Sequence, residues 1–295
     1  MAGSTWAMFE GFELAHLDLG DVTLRARYGG EGPPVVLIHG HPRTHTTWWQ
    51  VAARLAERFS VVCPDLRGYG QSTLPPDAPD HAQSAKRAMA GDVASLMGRL
   101  GHRRFTVVGH DRGSLVAFRL AMDYPELVSR LVIMDGLPVV EHMERLNEAF
   151  VRDWWHWWFL TQTDKPAERV INLDPVGWYA LPAPEVMGAG NHADVSRALR
   201  NPVVVHGMCE DYRAGLTIDR AHEQADRAAG RKIRCPMLLL ASAEDDIDIH
   251  GDPAEIWRPW VAGELRSAAI ACGHHQAEQA PEELSEALLA FLTTA

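Results

Sequence analysis

The chain has 295 residues, of which 46% are hydrophobic and 23% charged, and its formal net charge is −11. This length suits one core fold with an insertion better than two domains of ordinary size. The acidic balance argues against a nucleic acid or an anionic membrane surface as partner, because both require a basic protein face.

The four cysteines show neither close pairing nor metal-ligand spacing; they are Cys63, Cys209, Cys235 and Cys272. The sequence therefore predicts buried, reduced thiols and no metal site. No Gly-rich phosphate loop occurs, so no cofactor is expected. The N-terminal residues lack a basic segment followed by an apolar run, and no apolar stretch is long enough to span a bilayer. We expect a soluble cytoplasmic protein.

Strand and helix patterns alternate through the first half of the chain. Strand patterns occupy residues 22–28, 35–38, 60–63, 105–108 and 131–135, and helical patterns occupy 46–59, 84–100 and 112–124. Repeated alternation of this kind is typical of a mostly parallel sheet with helices on both faces. The sequence therefore predicts the α/β class.

The alternation is interrupted by a long tryptophan-rich segment with helical patterns. Strand patterns resume at 237–241 and 265–270, before a closing amphipathic helix over 281–292. We therefore predict a core made of residues 1–137 and 230–295, interrupted by a helical cap of residues 138–229.

The segment from Thr106 to Leu115 reads TVVGHDRGSL, an apolar strand that enters a G-x-D-x-G turn and then a helix. This is the layout of a nucleophile elbow, in which small residues flank a sharp turn that lifts one side chain above the sheet. The lifted side chain is Asp111. An aspartate that attacks an alkyl carbon forms an ester, which water can cleave to regenerate the carboxylate. Asp111 therefore predicts displacement at an alkyl carbon through an ester intermediate.

A base and an acid are expected to complete the site. His274 is the leading candidate for the base, because it follows the last predicted strand, and its neighbour His275 is the rival. Two positions are candidates for the acid. Asp135 ends the strand after the elbow, whereas Asp245 follows the next core strand. Both loops open at the same end of the sheet, so the sequence leaves the choice open.

The predicted chemistry also requires hydrogen-bond donors at an oxyanion hole and at the leaving group. Backbone N–H groups of an oxyanion hole are expected from His41, in the loop after an apolar strand, and from Arg112, directly after the nucleophile. A halide or alkoxide leaving group also needs N–H or O–H donors inside a dry pocket. His156, Trp157 and Tyr212, in the predicted cap, are the candidates.

Five motifs spread along the chain resemble those of the haloacetate (fluoroacetate) dehalogenases of the α/β-hydrolase superfamily; they read HGHP, GHDRG, WHW, MCEDYRAG and CGH. The resemblance runs from the first predicted strand to the last helix and implies the α/β-hydrolase fold with an inserted helical cap. It implies these roles: Asp111 as nucleophile, His274 as base, Asp135 as its acid, His156, Trp157 and Tyr212 as halide donors, and Arg112 as a clamp for the substrate carboxylate. It also implies a homodimer.

One position departs from the family pattern. The family has a second arginine three residues after the first, where this chain has Leu115. A single guanidinium orients a small carboxylate less well than a pair, and Leu115 is expected to make the pocket more apolar. The leading hypothesis is hydrolytic dehalogenation of a small chloro- or bromo-acid, with epoxide hydrolysis as the alternative. A non-catalytic ligand-binding protein of the same fold is a third hypothesis, disfavoured by the intact Asp111 and His274.

Overall fold

The computed structural model describes residues 8–294. Its strands are β1 (Glu13–Asp18), β2 (Thr23–Gly29), β3 (Pro34–Ile38), β4 (Ser60–Pro64), β5 (Phe105–His110), β6 (Val128–Met134), β7 (Met237–Ser242) and β8 (Leu265–Ile270). Within the described residues they form one sheet in the order β1-β2-β4-β3-β5-β6-β7-β8. The pairs β1/β2 and β2/β4 are antiparallel and the other pairs are parallel. The predicted α/β class with a mostly parallel sheet is confirmed.

The helices that alternate with the first strands are α1 (Trp49–Leu55), α2 (Lys86–Arg99) and α3 (Arg112–Asp123). The helix expected over 46–59 is shorter at both ends: a 3-10 turn over His45–Trp48 precedes α1, and residues 56–59 form a turn after it. Helix α3 is buried from Arg112 to Met122, and β5 is buried along its whole length. The nucleophile elbow therefore lies between a strand and a helix that are both buried in the core.

Helices fill the interval between β6 and β7. They are α4 (Val139–Glu144), α5 (Glu148–Asp153), α6 (His156–Leu160), α7 (Pro166–Ile171), α8 (Pro175–Tyr179), α9 (Pro184–Met187), α10 (Ala189–Leu199), α11 (Pro202–Ala214) and α12 (Arg220–Ala228), with a π-helical segment over Gly215–Asp219. All of them fall within residues 138–229, for which the cap is predicted. The division into a core and a cap stays a prediction.

The last helices are α13 (Pro253–Trp257), α14 (Gln276–Gln279) and α15 (Pro281–Leu292). Helix α15 has the bounds predicted from its pattern. Strand β1 had no predicted counterpart. It lies at the edge of the sheet and only two of its six residues are even partly buried, so its apolar alternation is weak.

The parallel strands place the candidate residues at the same end of the sheet, next to the carboxyl ends of the strands. The loops after β3, β5, β6, β7 and β8 carry His41, Asp111, Asp135, Asp245 and His274, respectively. Ligands of such sheets bind outside the carboxyl ends of the strands. The topology alone therefore brings together five residues that are far apart in the sequence.

Two other expectations can be compared with the structure. Cys63, Cys209 and Cys272 are buried free thiols, as predicted, whereas Cys235 is partly exposed. Among the helices of residues 8–294, none combines the length and the apolar character that crossing a bilayer requires.

Candidate active site

Asp111 lies in a strained turn between β5 and α3. Its backbone has φ of 52° and ψ of −121°, a region that non-glycine residues rarely adopt and that is concentrated at functional sites. The flanking residues must be glycine. A Cβ on Gly109 would lie 2.3 Å from the carbonyl oxygen of Gly113, and one on Gly113 would lie 2.3 Å from that of His39. The turn therefore fixes the Asp111 carboxylate at the head of α3, where it lines a cavity.

A backbone donor holds one oxygen of this carboxylate. The N–H of His41, in the loop after β3, donates to Oδ1 of Asp111 over 2.6 Å. Gly40 leaves room for this approach, because a Cβ there would lie 2.3 Å from the same oxygen. The expected position of His41 at an oxyanion hole agrees with this contact. Oδ2 of Asp111 is left to face His274.

His274 lies between two carboxylates. Its Nδ1 is 2.7 Å from Oδ2 of Asp245, and its Nε2 is 3.8 Å from Oδ2 of Asp111. Burial acts to lower the pKa of His274, but the Asp245 hydrogen bond and the Asp111 charge outweigh it and raise this pKa to about 9. The arrangement is that of a nucleophile, a base and an acid that orients the base.

Of the two candidate acids, Asp245 is the one hydrogen-bonded to His274. Asp135 accepts hydrogen bonds from the backbone N–H and the hydroxyl of Ser242 and from the Gln276 amide. Burial raises the pKa of Asp135 to about 6. The assignment of Asp135 that the resemblance implies therefore differs from this geometry, in which Asp135 lies behind the pair and holds the loop after β7.

The same residues also have the spacing of a metal site, since one ligand atom from each of Asp135, Asp245 and His274 lies within 4.8 Å of the others. Their polar atoms are already paired, however. Nδ1 of His274 is bonded to Asp245, and Asp135 is bonded to Ser242 and Gln276. These contacts favour a hydrogen-bonded cluster of side chains over a metal-binding site.

His275, the rival base, also lines the cavity, but His274 is the histidine whose Nδ1 donates a hydrogen bond to Asp245. Burial lowers the pKa of His275 well below its usual range. Its neighbour in space, His110, has Nε2 2.7 Å from the backbone oxygen of His274. His110 thereby anchors the loop that carries the base.

The three predicted halide donors meet at the cavity. The rings of His156 and Trp157 each lie 5.9 Å from the ring of Tyr212, measured between centroids. Burial lowers the pKa of His156 to about 4, so its imidazole is neutral at pH 7 and carries one N–H. Within residues 8–294, the side chains of these three residues donate no hydrogen bond to a protein acceptor, and all three line the cavity with Asp111.

The structure does not place Arg112 in the cavity. Its guanidinium is buried, donates to Oδ1 of Asp211 over 2.7 Å and lies 4.2 Å from the centroid of the Tyr212 ring. In this conformation the pairing with Asp211 keeps Arg112 out of the cavity lining, and its Nε and Nη1 have no partner among the described residues. The carboxylate clamp stays a prediction.

Leu115 is also absent from the cavity lining among the described residues. It is 4% exposed and belongs to the main hydrophobic core. In this structure Leu115 packs in the core with the rest of α3, which is buried from Arg112 to Met122. Its effect on the pocket stays a prediction.

Two further residues near the site, Trp154 and Tyr179, were not predicted as site residues from the sequence. Tyr179 lines the cavity and packs edge-on against His41, with ring centroids 5.1 Å apart. Trp154 donates from Nε1 to Oδ2 of Asp246 over 2.7 Å and so joins the segment before α6 to the loop after β7. The tryptophan run was a visible signal for Trp154, whereas nothing in the local sequence marks Tyr179.

Known proteins share both the sequence pattern and the fold. The family model described as alpha/beta hydrolase fold matches residues 33–281. The chain is 38% identical to a fluoroacetate dehalogenase from Burkholderia sp over 98% of this chain and 96% of that protein. It is 30% identical to a soluble epoxide hydrolase from Corynebacterium sp. (strain C12), over 89% of this chain and 91% of that protein.

A solved structure from Nostoc sp PCC 7120, which bears the description of an alpha/beta hydrolase, superposes with a TM-score of 0.94 at 36% identity. The superposition covers 98% of this chain and all of that one. Sequence and structure both match known proteins over almost the whole chain. The chain is therefore an enzyme that belongs to the α/β-hydrolase fold family.

Proposed function

We propose that this enzyme is a hydrolytic dehalogenase of small haloacids of the haloacetate type, with Asp111 as the nucleophile. The observation that carries the proposal is the set of three free donors, His156, Trp157 and Tyr212, in the same cavity as Asp111. The likeness to the fluoroacetate dehalogenase of Burkholderia sp supports the same function.

In the first step, Oδ2 of Asp111 attacks the alkyl carbon. A carbon–oxygen bond forms, the carbon–halogen bond breaks, and the halide leaves with the bonding electron pair. The N–H of His41 on Oδ1 leaves Oδ2 as the free nucleophilic oxygen. Donors that do not have to reorganise stabilise the leaving halide strongly in a cavity from which water is excluded.

In the second step, water attacks the carbonyl carbon of the Asp111 ester. His274 takes a proton from this water and Asp245 stabilises the resulting imidazolium. The charge that develops on Oδ1 lies 2.6 Å from the His41 nitrogen. Collapse of the intermediate releases the alcohol, which takes the proton from His274. The second proton of the water then passes from the new carboxyl group to His274, which regenerates the carboxylate beside a protonated imidazole.

Formation of the ester also lowers the pKa of His274, so that His274 can act as the base in this step. Before the reaction, the charges of Asp111 and Asp245 hold the pKa of His274 at about 9, and the imidazole is protonated at pH 7. Alkylation makes Asp111 neutral and removes one of the two charges. The pKa of His274 then falls, and a neutral imidazole becomes available when a base is required.

Epoxide hydrolysis is the second candidate, and two observations favour it. No lysine or arginine occurs among the residues that line the cavity in the described part of the chain, so a carboxylate has only protonated His274 as a cationic partner. In addition, the phenols of Tyr179 and Tyr212 both line the cavity. A phenol could give its proton to the alkoxide that forms when an epoxide opens.

Halide release separates the candidates. The dehalogenase proposal expects purified enzyme to release chloride from chloroacetate and bromide from bromoacetate, and the Asp111→Asn variant to release neither. Wild-type enzyme that opens propylene oxide but releases no halide at any pH it tolerates would replace the first proposal by the second.

A common test concerns the nucleophile itself. After turnover in water enriched in heavy oxygen, the peptide that contains Asp111 should carry the label, because water attacks the carboxyl carbon in both mechanisms. Absence of the label from this peptide would contradict both candidates.

We also propose that the enzyme forms a homodimer, by analogy with the family alone. Sedimentation equilibrium of the purified chain tests this, and a monomer at micromolar concentration would refute it.

A further inference from the structure

The cavity at Asp111 is larger than a haloacetate requires. Its volume is about 480 Å³, within the range of about 300–1,000 Å³ found for pockets that enclose drug-sized ligands. A two-carbon acid would occupy only the part next to Asp111. The rest of the cavity has room for a further part of a larger substrate.

Part of the cavity is lined by large apolar side chains, here called the aromatic wall: Trp154, Trp155, Leu160 and Trp178. The rings of Trp155 and Trp178 pack edge-on with centroids 6.0 Å apart. Trp154 is stacked with His156, 6.3 Å away. Because His156 is a proposed halide donor, the aromatic wall begins one side chain away from the reacting centre.

The aromatic wall combines a fixed part with an exposed part. The Trp154 indole is held by its 2.7 Å hydrogen bond to Asp246, which restricts its ring orientation. Trp155 is 50% exposed, which is unusual for the largest apolar side chain in a protein. A ligand that covers Trp155 would remove this apolar surface from water.

In the described part of the chain, this region of the cavity offers no lysine or arginine that could bind a second anionic group of the substrate. Asp153 and Asp246 line the cavity beside the aromatic wall, and the lining has no lysine or arginine among residues 8–294. An anionic substituent would meet like charges there, whereas an uncharged apolar substituent would meet indole rings.

From these observations we infer that the natural substrate carries an uncharged aryl group, which packs on the aromatic wall while the reacting carbon lies at Asp111. The inference rests on the proposed function, because it requires Asp111 to be the nucleophile. An aryl group is favoured over an alkyl group of similar size, since offset and edge-on contacts between aromatic rings add to the gain from burial.

The first test compares substrates of similar intrinsic reactivity. In α-chloro-β-phenylpropionate the ring is separated from the reacting carbon by a methylene, so it does not activate displacement. We expect its kcat/KM to exceed that of α-chloropropionate by roughly tenfold or more, and to exceed that of the cyclohexyl analogue. Allylbenzene oxide against propylene oxide is the corresponding pair if the enzyme opens epoxides.

The second test removes part of the aromatic wall. Trp155→Ala should lower the ratio of the phenyl to the methyl substrate by about threefold to tenfold. Leu173→Ala is the matched control, because Leu173 is also a large apolar residue between β6 and β7, is 86% exposed and lies outside the cavity. This control should leave the ratio unchanged.

The outcomes separate the two proposals. Turnover of α-chloropropionate at least equal to that of the phenyl compound would overturn the aryl inference and leave the proposed function intact. A cyclohexyl analogue as good as the phenyl compound would overturn the aromatic part of the inference. No turnover of any chloro-acid or epoxide would instead overturn the proposed function.

Discussion

At the scale of single residues, the charge on Asp111 controls the protonation of His274. We predict that Asp111→Asn lowers the pKa of His274 below the value of about 9 in the native enzyme, because one of the two neighbouring negative charges is removed. Titration of the His274 ring by NMR measures this. An unchanged pKa would contradict the proposed preparation of the base by the ester.

The same shift contributes to stability. The folded pKa lies above the ordinary value of 6.5, so the contribution of His274 is complete below pH 6.5 and is lost as the pH rises through about 9. Asp111→Asn should move this loss to lower pH.

The two candidate acids can be separated by their effect on the second step. Asp245→Asn removes the carboxylate that orients and stabilises protonated His274, and we expect hydrolysis of the ester to slow by roughly a hundredfold or more. Alkylated enzyme should then accumulate and be visible by mass spectrometry. Asp135→Asn is the matched comparison.

For Asp135→Asn we expect a smaller effect on the same rate, because Asp135 bonds to Ser242 and Gln276 instead of His274. A larger effect from Asp135→Asn than from Asp245→Asn would show that Asp135 is the working acid.

At the scale of elements, α11 is joined to the elbow by a buried ion cluster. Asp211 binds the guanidinium of Arg112, the ammonium of Lys86 and the hydroxyl of Tyr69. Burial acts to raise the pKa of Asp211, but Arg112 and Lys86 outweigh it and hold this pKa well below its usual range. Since Tyr212 is the next residue, this cluster also positions a proposed halide donor.

We therefore predict that Asp211→Asn destabilises the fold by about 3 kcal/mol or more, because buried Arg112 loses its anionic partner and buried Lys86 keeps only Asp219, 3.5 Å away. Denaturant unfolding measures the change. Glu282→Gln is the control: it breaks the exposed pair of Glu282 with Arg54, and such pairs contribute about 1 kcal/mol or less. Equal effects of the two substitutions would contradict the structural role of Asp211.

Local sequence patterns predicted the features that depend on local geometry. The elbow is one, because Gly109, Asp111 and Gly113 lie within a single strand-turn-helix segment. The position of His274 after the last strand is another. The fold class followed from the alternation of strands and helices.

The features that were missed depend on contacts between distant segments. Arg112 pairs with Asp211, which is 99 residues away in sequence. The pairing of His274 with Asp245 depends on how two loops converge, and no local pattern determines that. Strand β1 was missed because an edge strand buries little, so that its alternation is weak.

At the scale of the whole molecule, α12 precedes the return of the chain to the sheet and is bonded to both α3 and α4. Asp226 binds Arg119 of α3 over 2.6 Å. Glu223 accepts a hydrogen bond of 2.8 Å from the backbone N–H of Val140, at the start of α4. Glu223 thus joins the beginning and the end of the segment between β6 and β7.

Glu223 also makes the stability of the whole fold depend on pH. Burial raises its pKa to about 8 from an ordinary value of 4.5, against the opposing effects of the Val140 N–H and Arg119. Between these two values the native state keeps a proton that the unfolded chain releases, so stability falls as the pH rises from about 4.5 to about 8.

We predict that Glu223→Gln, which keeps the size and an acceptor oxygen but has no ionisable proton, reduces this loss by an amount on the order of a few kcal/mol. Unfolding by denaturant at a series of pH values measures it. Glu283→Gln, a change to an exposed residue in the first turn of α15, should leave the slope of the wild-type curve in place. If Glu223→Gln leaves the slope of the stability curve unchanged, the Glu223 carboxyl of the native protein must be ionised at neutral pH. The Val140 N–H would then donate to a charged carboxylate.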